Sequence, residues 1–275
     1  MKSRKTYSTI ALAVALVFSA ACQKSAPDSE RKGTSIMTSD TILSGMVVSL
    51  LPSGNFSVSA IMPPGQCPGH YDIKLSDIEK LRKAGLVISF RGMPFMAKAE
   101  IEAGSHCVVD ANDRNWMAPQ SYIVGLEIIA KELSTQFPEY QTRIKEQLAR
   151  AIHQVTETSE RLRDEIRKAG ITCKPVIASS LQKETLEWMG FQVVGTYGRP
   201  ETISAKDIVR LSRLGRESKA VAVVDNLQSG PEAGKGLAEE LHVPHVVLSN
   251  FPSEKGYLAT FSGNVDAMTA ALRKK

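Results

Sequence analysis

Three sets of residues in this chain have the chemistry to hold a ligand. Cys67 and His70 lie three apart in CPGHYD, and His106 stands beside Cys107. Thiolate and imidazole together suit bound zinc or copper(I). Arg91, Arg114 and Arg199 are permanent cations, able to grip an anionic or chelated ligand through charge-assisted hydrogen bonds. Ser179, Asp225 and Ser249 close apolar runs, where a polar side chain can face a ligand. Each set also has a structural explanation. Ser and Asp are common helix N-caps, the arginines can pair with Asp72, Asp110 or Asp113, and Cys67 and Cys107 can form a disulfide. That pairing would leave Cys173 reduced and buried ahead of its strand.

The elements that must position these residues follow from periodicity. Short apolar runs at about 35–39, 56–62, 85–91 and 106–111 predict strands, with helices at about 41–51, 75–84, 96–103 and 119–136. The same alternation returns with strands near 174–180, 191–198, 220–226 and 245–250 and helices near 181–189, 204–215, 231–241 and 263–273. Between the two sets, Pro138 to Lys168 carries Ile144, Leu148, Ile152, Val155, Leu162 and Ile166 on one helical face, with no Gly or Pro after the first turn. A helix of that length spans roughly 45 Å, more than one small domain. The expected fold is therefore α/β: two doubly wound parallel-sheet lobes joined by one long rigid helix, with a ligand cleft between them. The lobes fall at 35–137 and 169–275, with the connecting helix at 138–168.

Familiar catalytic and nucleotide motifs are missing. GPEAGKG at 230–236 is one residue short of a phosphate-binding loop, and neither GxGxxG nor GxSxG occurs. His242 and His245 flank a helix end and a strand start, His153 lies on the polar side of the long helix, and Met93, Met96 and Met117 read as packing. The expectation is a binding protein, not an enzyme, with no catalytic cofactor.

The first 21 residues hold Lys2, Arg4 and Lys5, an uncharged run from Thr9, and small residues directly before Cys22. This is the pattern of an export signal at 1–21, with Cys22 acylated as a lipid anchor and 22–34 a polar tether, which places the chain in the cell envelope or periplasm. Without that signal the formal charge falls from +5 to +2, and no basic face remains to argue for nucleic acid.

From CPGHYDIKLSDIEKLRKAGLVISFRG onward, the chain resembles the zinc/manganese (ZnuA/TroA-like) family of ABC-transporter substrate-binding lipoproteins. The likeness continues through NWMAPQSYIVGLEIIAKEL, FPEYQTRIKEQL, PVIAS, MGFQVVG, SAKDIVRLSRL, LAEELHVPHVVL and GYLATFSGNVDAM. It implies a two-lobe fold, a divalent cation in the cleft, and delivery to a membrane permease driven by an ATPase. It also implies four metal ligands at positions held here by Gly69, Arg114, Ser179 and Ser249, none of which can serve in the family's manner. Either the ligands have moved to His70, Cys67 and His106, or the cargo has changed to a metal complex or another small, anionic ligand. A receptor or scaffold of the envelope without transport is the third reading.

Overall fold

The structure, a computed structural model, describes residues 33–99, 101 and 106–273. The export segment, Cys22 and most of the tether lie outside the described residues. Thr34, placed in the tether from sequence, already pairs with Phe56 in the first strand.

The first half of the chain runs β1 (Thr34–Thr38), α1 (Thr41–Leu50), β2 (Phe56–Ala60), α2 (Leu75–Lys83), β3 (Leu86–Phe90), β4 (His106–Val109) and α3 (Pro119–Gln136). After a short 3-10 turn at Pro138–Tyr140 comes the long helix α4 (Gln141–Lys168). The second half repeats the plan with β5 (Pro175–Ser179), α5 (Lys183–Trp188), β6 (Gln192–Tyr197), α6 (Ala205–Ser218), β7 (Val223–Asn226), α7 (Lys235–Leu241), β8 (His245–Leu248) and α8 (Tyr257–Arg273).

These strands form two parallel four-stranded sheets of identical order, β2-β1-β3-β4 and β6-β5-β7-β8. Central strands read as apolar runs because helices cover both their faces: Leu86, Val87 and Ile88 in β3 and Val176, Ile177 and Ala178 in β5 are all buried. Edge strand β2 instead alternates between half-buried and exposed residues. In each sheet the order reverses between the two central strands, so the natural ligand crevice lies outside the carboxyl ends of β1 and β3, and of β5 and β7.

One apolar core runs through both lobes. Ile144, Ala151, Val155, Leu162 and Ile166 of α4 are buried along one face, in a cluster that also takes in Leu43 of α1, Leu126 of α3, Val176 of β5 and Phe261 of α8. Smaller clusters fill the outer faces: Met37, Leu81 and Phe95 in the first lobe, and Ile177, Leu211 and Leu237 in the second. The long helix is therefore a shared wall of both lobes as well as their connection.

Two elements differ from the sequence expectation. Of the helix expected over 96–103, the described residues hold a 3-10 turn at Pro94–Lys98, its Phe95 and Met96 drawn into the outer core, and positions 100, 102 and 103 lie outside the described residues. The last helix begins at Tyr257, six residues before the expected 263, because Tyr257 and Phe261 are buried on the face that continues through Val265 and Met268. Gly263 interrupts the pattern in sequence but sits inside the helix with open space around it.

Candidate functional site

A cavity of about 550 Å³ opens between the lobes. Its first wall is built from Ile42 at the start of α1, Phe90 at the end of β3, Met93, and the loop Asp113 to Trp116 after β4. The opposing wall comes from Ser180 to Glu187 after β5 and from Asn250 and Phe251 after β8. Every segment follows the carboxyl end of a strand, as the fold requires. Asn112 and Asp113 turn the loop sharply at φ of 50° and 57°, a left-handed conformation these side chains tolerate, and so present Arg114 to the cavity.

The walls are tied together across the cavity. Asn115 donates its side-chain amide to the Leu181 carbonyl at 2.6 Å and to Thr185 Oγ1 at 3.2 Å, and its backbone N–H to Glu184 Oε2 at 2.5 Å. The Ser121 hydroxyl donates to the other Glu184 oxygen. Elsewhere Thr41 donates to the Pro252 carbonyl at 2.8 Å, Tyr257 to the Met117 carbonyl at 3.1 Å, and the Tyr122 and Tyr257 rings stack. Two polar atoms of cavity-lining residues, Trp116 Nε1 and Asn250 Oδ1, are buried with no hydrogen-bond partner among the described residues.

Of the candidate metal residues, Cys67 and His70 share one turn, with the His70 N–H donating to the Cys67 carbonyl at 3.0 Å. His70 is exposed in the loop after β2, its Nε2 3.8 Å from Glu201 of the other lobe. Cys67 is buried. His106 lies on β4 with Nε2 2.8 Å from Ser89 Oγ, and burial holds its pKa below the usual imidazole value. Among the described residues no three His, Cys, Asp or Glu side chains converge as a cation site.

The expected Cys67–Cys107 disulfide is corrected: Cys67, Cys107 and Cys173 are all free. Cys67 lies in the loop after β2 and Cys107 on edge strand β4. Cys107 faces Glu132 of α3, and burial first, then that carboxylate, push its thiol up to about 11. Cys173, expected to be buried, is exposed and turns the chain at φ 59°.

The ligand candidates divide. Arg114 lines the cavity. Arg91 pairs with Asp110 at 3.0 Å. Asp110 is held below the usual carboxylate range by the Asn112 N–H and by Arg91. The Arg199 guanidinium covers Gly69, where an added Cβ would overlap it. Ser179 is buried at the end of β5. Ser249 accepts from Gln228 at 2.8 Å and donates to the Phe251 carbonyl at 2.7 Å. Asp225 is wholly buried and accepts from Tyr197 Oη at 2.6 Å and the Gly234 N–H at 2.9 Å. It also lies 2.6 Å from His245 Nε2. His242 closes α7 in a left-handed turn, away from that pair's bonding.

Sequence reading missed Lys183, Glu184 and Glu187, which lie just past the strand end on the first turns after β5. A search extending one helical turn beyond each strand would have found them.

Residues 36–273 match the model of a family described as the periplasmic zinc-uptake complex component A, ZnuA. No curated protein matches the chain. Among solved structures, a crystal structure of ZnuA superposes with a TM-score of 0.73 at 14% identity, covering 87% of this chain and 99% of that one. The Mn-bound periplasmic metal-binding protein of Candidatus Liberibacter asiaticus gives 0.73 at 14%, covering 86% and 98%. The laminin-binding protein of Streptococcus agalactiae, described as bifunctional with adhesin and metal-transporting activity, gives 0.73 at 16%, covering 88% and 100%. At such identities the likeness is one of fold.

Proposed function

The chain belongs to the periplasmic zinc-uptake component A family, and from that premise we propose that it is the substrate-binding component of an ABC importer whose cargo is a metal already held in a small anionic complex. The observation that carries this reading is the cavity of about 550 Å³ with Arg114 and Lys183 beside Asp113, Glu184 and Glu187 and the aromatic rings of Phe90, Trp116 and Phe251. A bare divalent ion requires several anionic or imidazole donors about 2 Å from one point. A cleft of this size, with apolar walls and a few charged groups, suits a molecule. That no three His, Cys, Asp or Glu side chains converge among the described residues supports the same reading, as do the guanidinium at 114, the burial of Ser179 and the bonded side chain of Ser249 at positions where the family resemblance implies ligands. A permease and its ATPase are the proposed partners.

Native mass spectrometry of protein purified from its own cells tests this. The expected adduct has the mass of a metal plus an organic component, and Arg114→Ala should lower its occupancy about tenfold. A purely organic adduct would favour the non-metal anionic ligand. Stoichiometric bare manganese or zinc would overturn both.

Attachment to the membrane through Cys22 is part of the proposal. Cells fed an alkynyl fatty acid should label the wild-type protein and leave Cys22→Ser unlabelled; equal labelling would reject the anchor.

A further inference from the structure

Helix α3 has no cap of its own. Its N-cap residue is Ala118, Pro119 follows at the first helical position, and no side chain of the same segment satisfies the free N–H groups. The missing negative charge arrives from the other lobe: Glu184 accepts from the Asn115 N–H at 2.5 Å and from the hydroxyl of Ser121, in the first turn of α3. A carboxylate placed there is also favoured by the positive end of an 18-residue helix. Arg114, next along the loop, lines the same cavity.

This donor set extends beyond what Glu184 uses. Trp116 is 2% exposed, and its indole N–H has no partner. Its benzo edge is turned to α3, where a Cβ at Gly125 would sit 2.8 Å from Cε3. Trp116 lines the cavity. The wall therefore combines a backbone N–H and a hydroxyl bound to one carboxylate of the opposite lobe, a guanidinium lining the same cavity, and a lining tryptophan whose buried indole N–H is unpartnered.

We propose that Glu184 is an internal stand-in for the ligand: it occupies a carboxylate-binding site formed by Asn115, Ser121, Trp116 and Arg114, and an incoming carboxylate ligand displaces it. The proposal rests on the reading of the cleft as the ligand site and adds the chemical group that the site selects. Exchange of one carboxylate for another leaves the donors satisfied, while the bonds from the Asn115 side chain to Leu181 and Thr185 keep the lobes together. Glu184 thus sets a threshold, since a neutral molecule has nothing with which to replace it.

Citrate serves as the probe, titrated calorimetrically into the full-length protein. Glu184→Gln, which keeps the shape and removes the competing charge, should bind citrate about tenfold tighter than wild type. Adding Ser121→Ala should remove most of that gain, and the neutral trimethyl ester should bind neither protein. Glu184→Asp, too short to reach both donors, should show a smaller gain of the same sign and carries the test if the Gln variant fails to fold. Equal or weaker citrate binding by the folded variants, or no binding by any of them, would overturn the inference. Bare metal in the native mass spectrum would instead overturn the cargo reading and leave a tighter-binding Glu184→Gln variant unexplained by it, so the two failures are distinct.

Discussion

Replacing Asp225 with alanine is expected to lower the free energy of unfolding by about 3 kcal/mol, read as a lower urea midpoint. The carboxylate is wholly buried and accepts from the Gly234 N–H through both oxygens, at 2.9 and 3.1 Å, so its removal leaves that N–H in a dry site. Tyr197 loses its 2.6 Å bond but keeps the Val224 carbonyl at 3.1 Å, and His245, partly exposed, can turn to water. The cost therefore falls mainly on the turn into α7. Asp225→Asn, which keeps one acceptor oxygen, should cost about half as much. A wild-type midpoint in the alanine variant, together with lost ligand binding, would return Asp225 to the cleft.

The second large effect depends on pH. Asp40 caps α1, accepting from the Ile42 N–H at 2.9 Å, the Leu43 N–H at 3.2 Å and the Ser39 hydroxyl at 2.6 Å. Complete burial nonetheless raises its carboxyl from 3.8 to about 6, overriding those three bonds. The folded protein then holds this proton more tightly than the unfolded chain. The stability it contributes is fully present below pH 3.8 and is lost as pH rises to about 6. The loss amounts to about 3 kcal/mol and does not grow further at higher pH.

Asp40→Asn keeps a good capping oxygen but cannot ionise. Between pH 4 and pH 7 the variant should therefore gain roughly 2 kcal/mol relative to wild type. Burial depresses the pKa of His106 and so gives the opposite slope, with stability lost as pH falls below the imidazole's ordinary value. Because His106 is present in both proteins, its effect cancels in the difference. Parallel stability curves for variant and wild type would show that Asp40 does not hold the proton.

The kind and order of the elements were legible because their signals are local. Apolar runs such as PVIAS and the one-sided face of α4 appear within a few consecutive residues. Two sheets and a cleft at their strand ends follow from that alternation. Arg114 stood out for the same reason, lying in the loop that follows β4. The rest depended on distances between segments far apart in sequence. Asn115 meets Glu184 across 69 positions, and nothing in either segment announces the other. Asp225 looks the same in sequence whether its carboxylate faces a ligand or a backbone N–H nine residues on. The three described cysteines are free, and cysteine counting is blind to where a loop such as the one after β2 leaves its thiol.

The apolar cluster shared by α1, α3, α4 and α8 bears on how an unknown cargo can be found. With one core reaching into both lobes, the described chain should melt as a single unit. A molecule held between the lobes then stabilises the whole unit, by about 2.7 kcal/mol at a hundred times its dissociation constant. The melting temperature becomes a reporter for every occupant of the cleft, metal complex or organic anion alike, without a label or a prior guess at its identity. A library of chelates can be ranked by that shift alone.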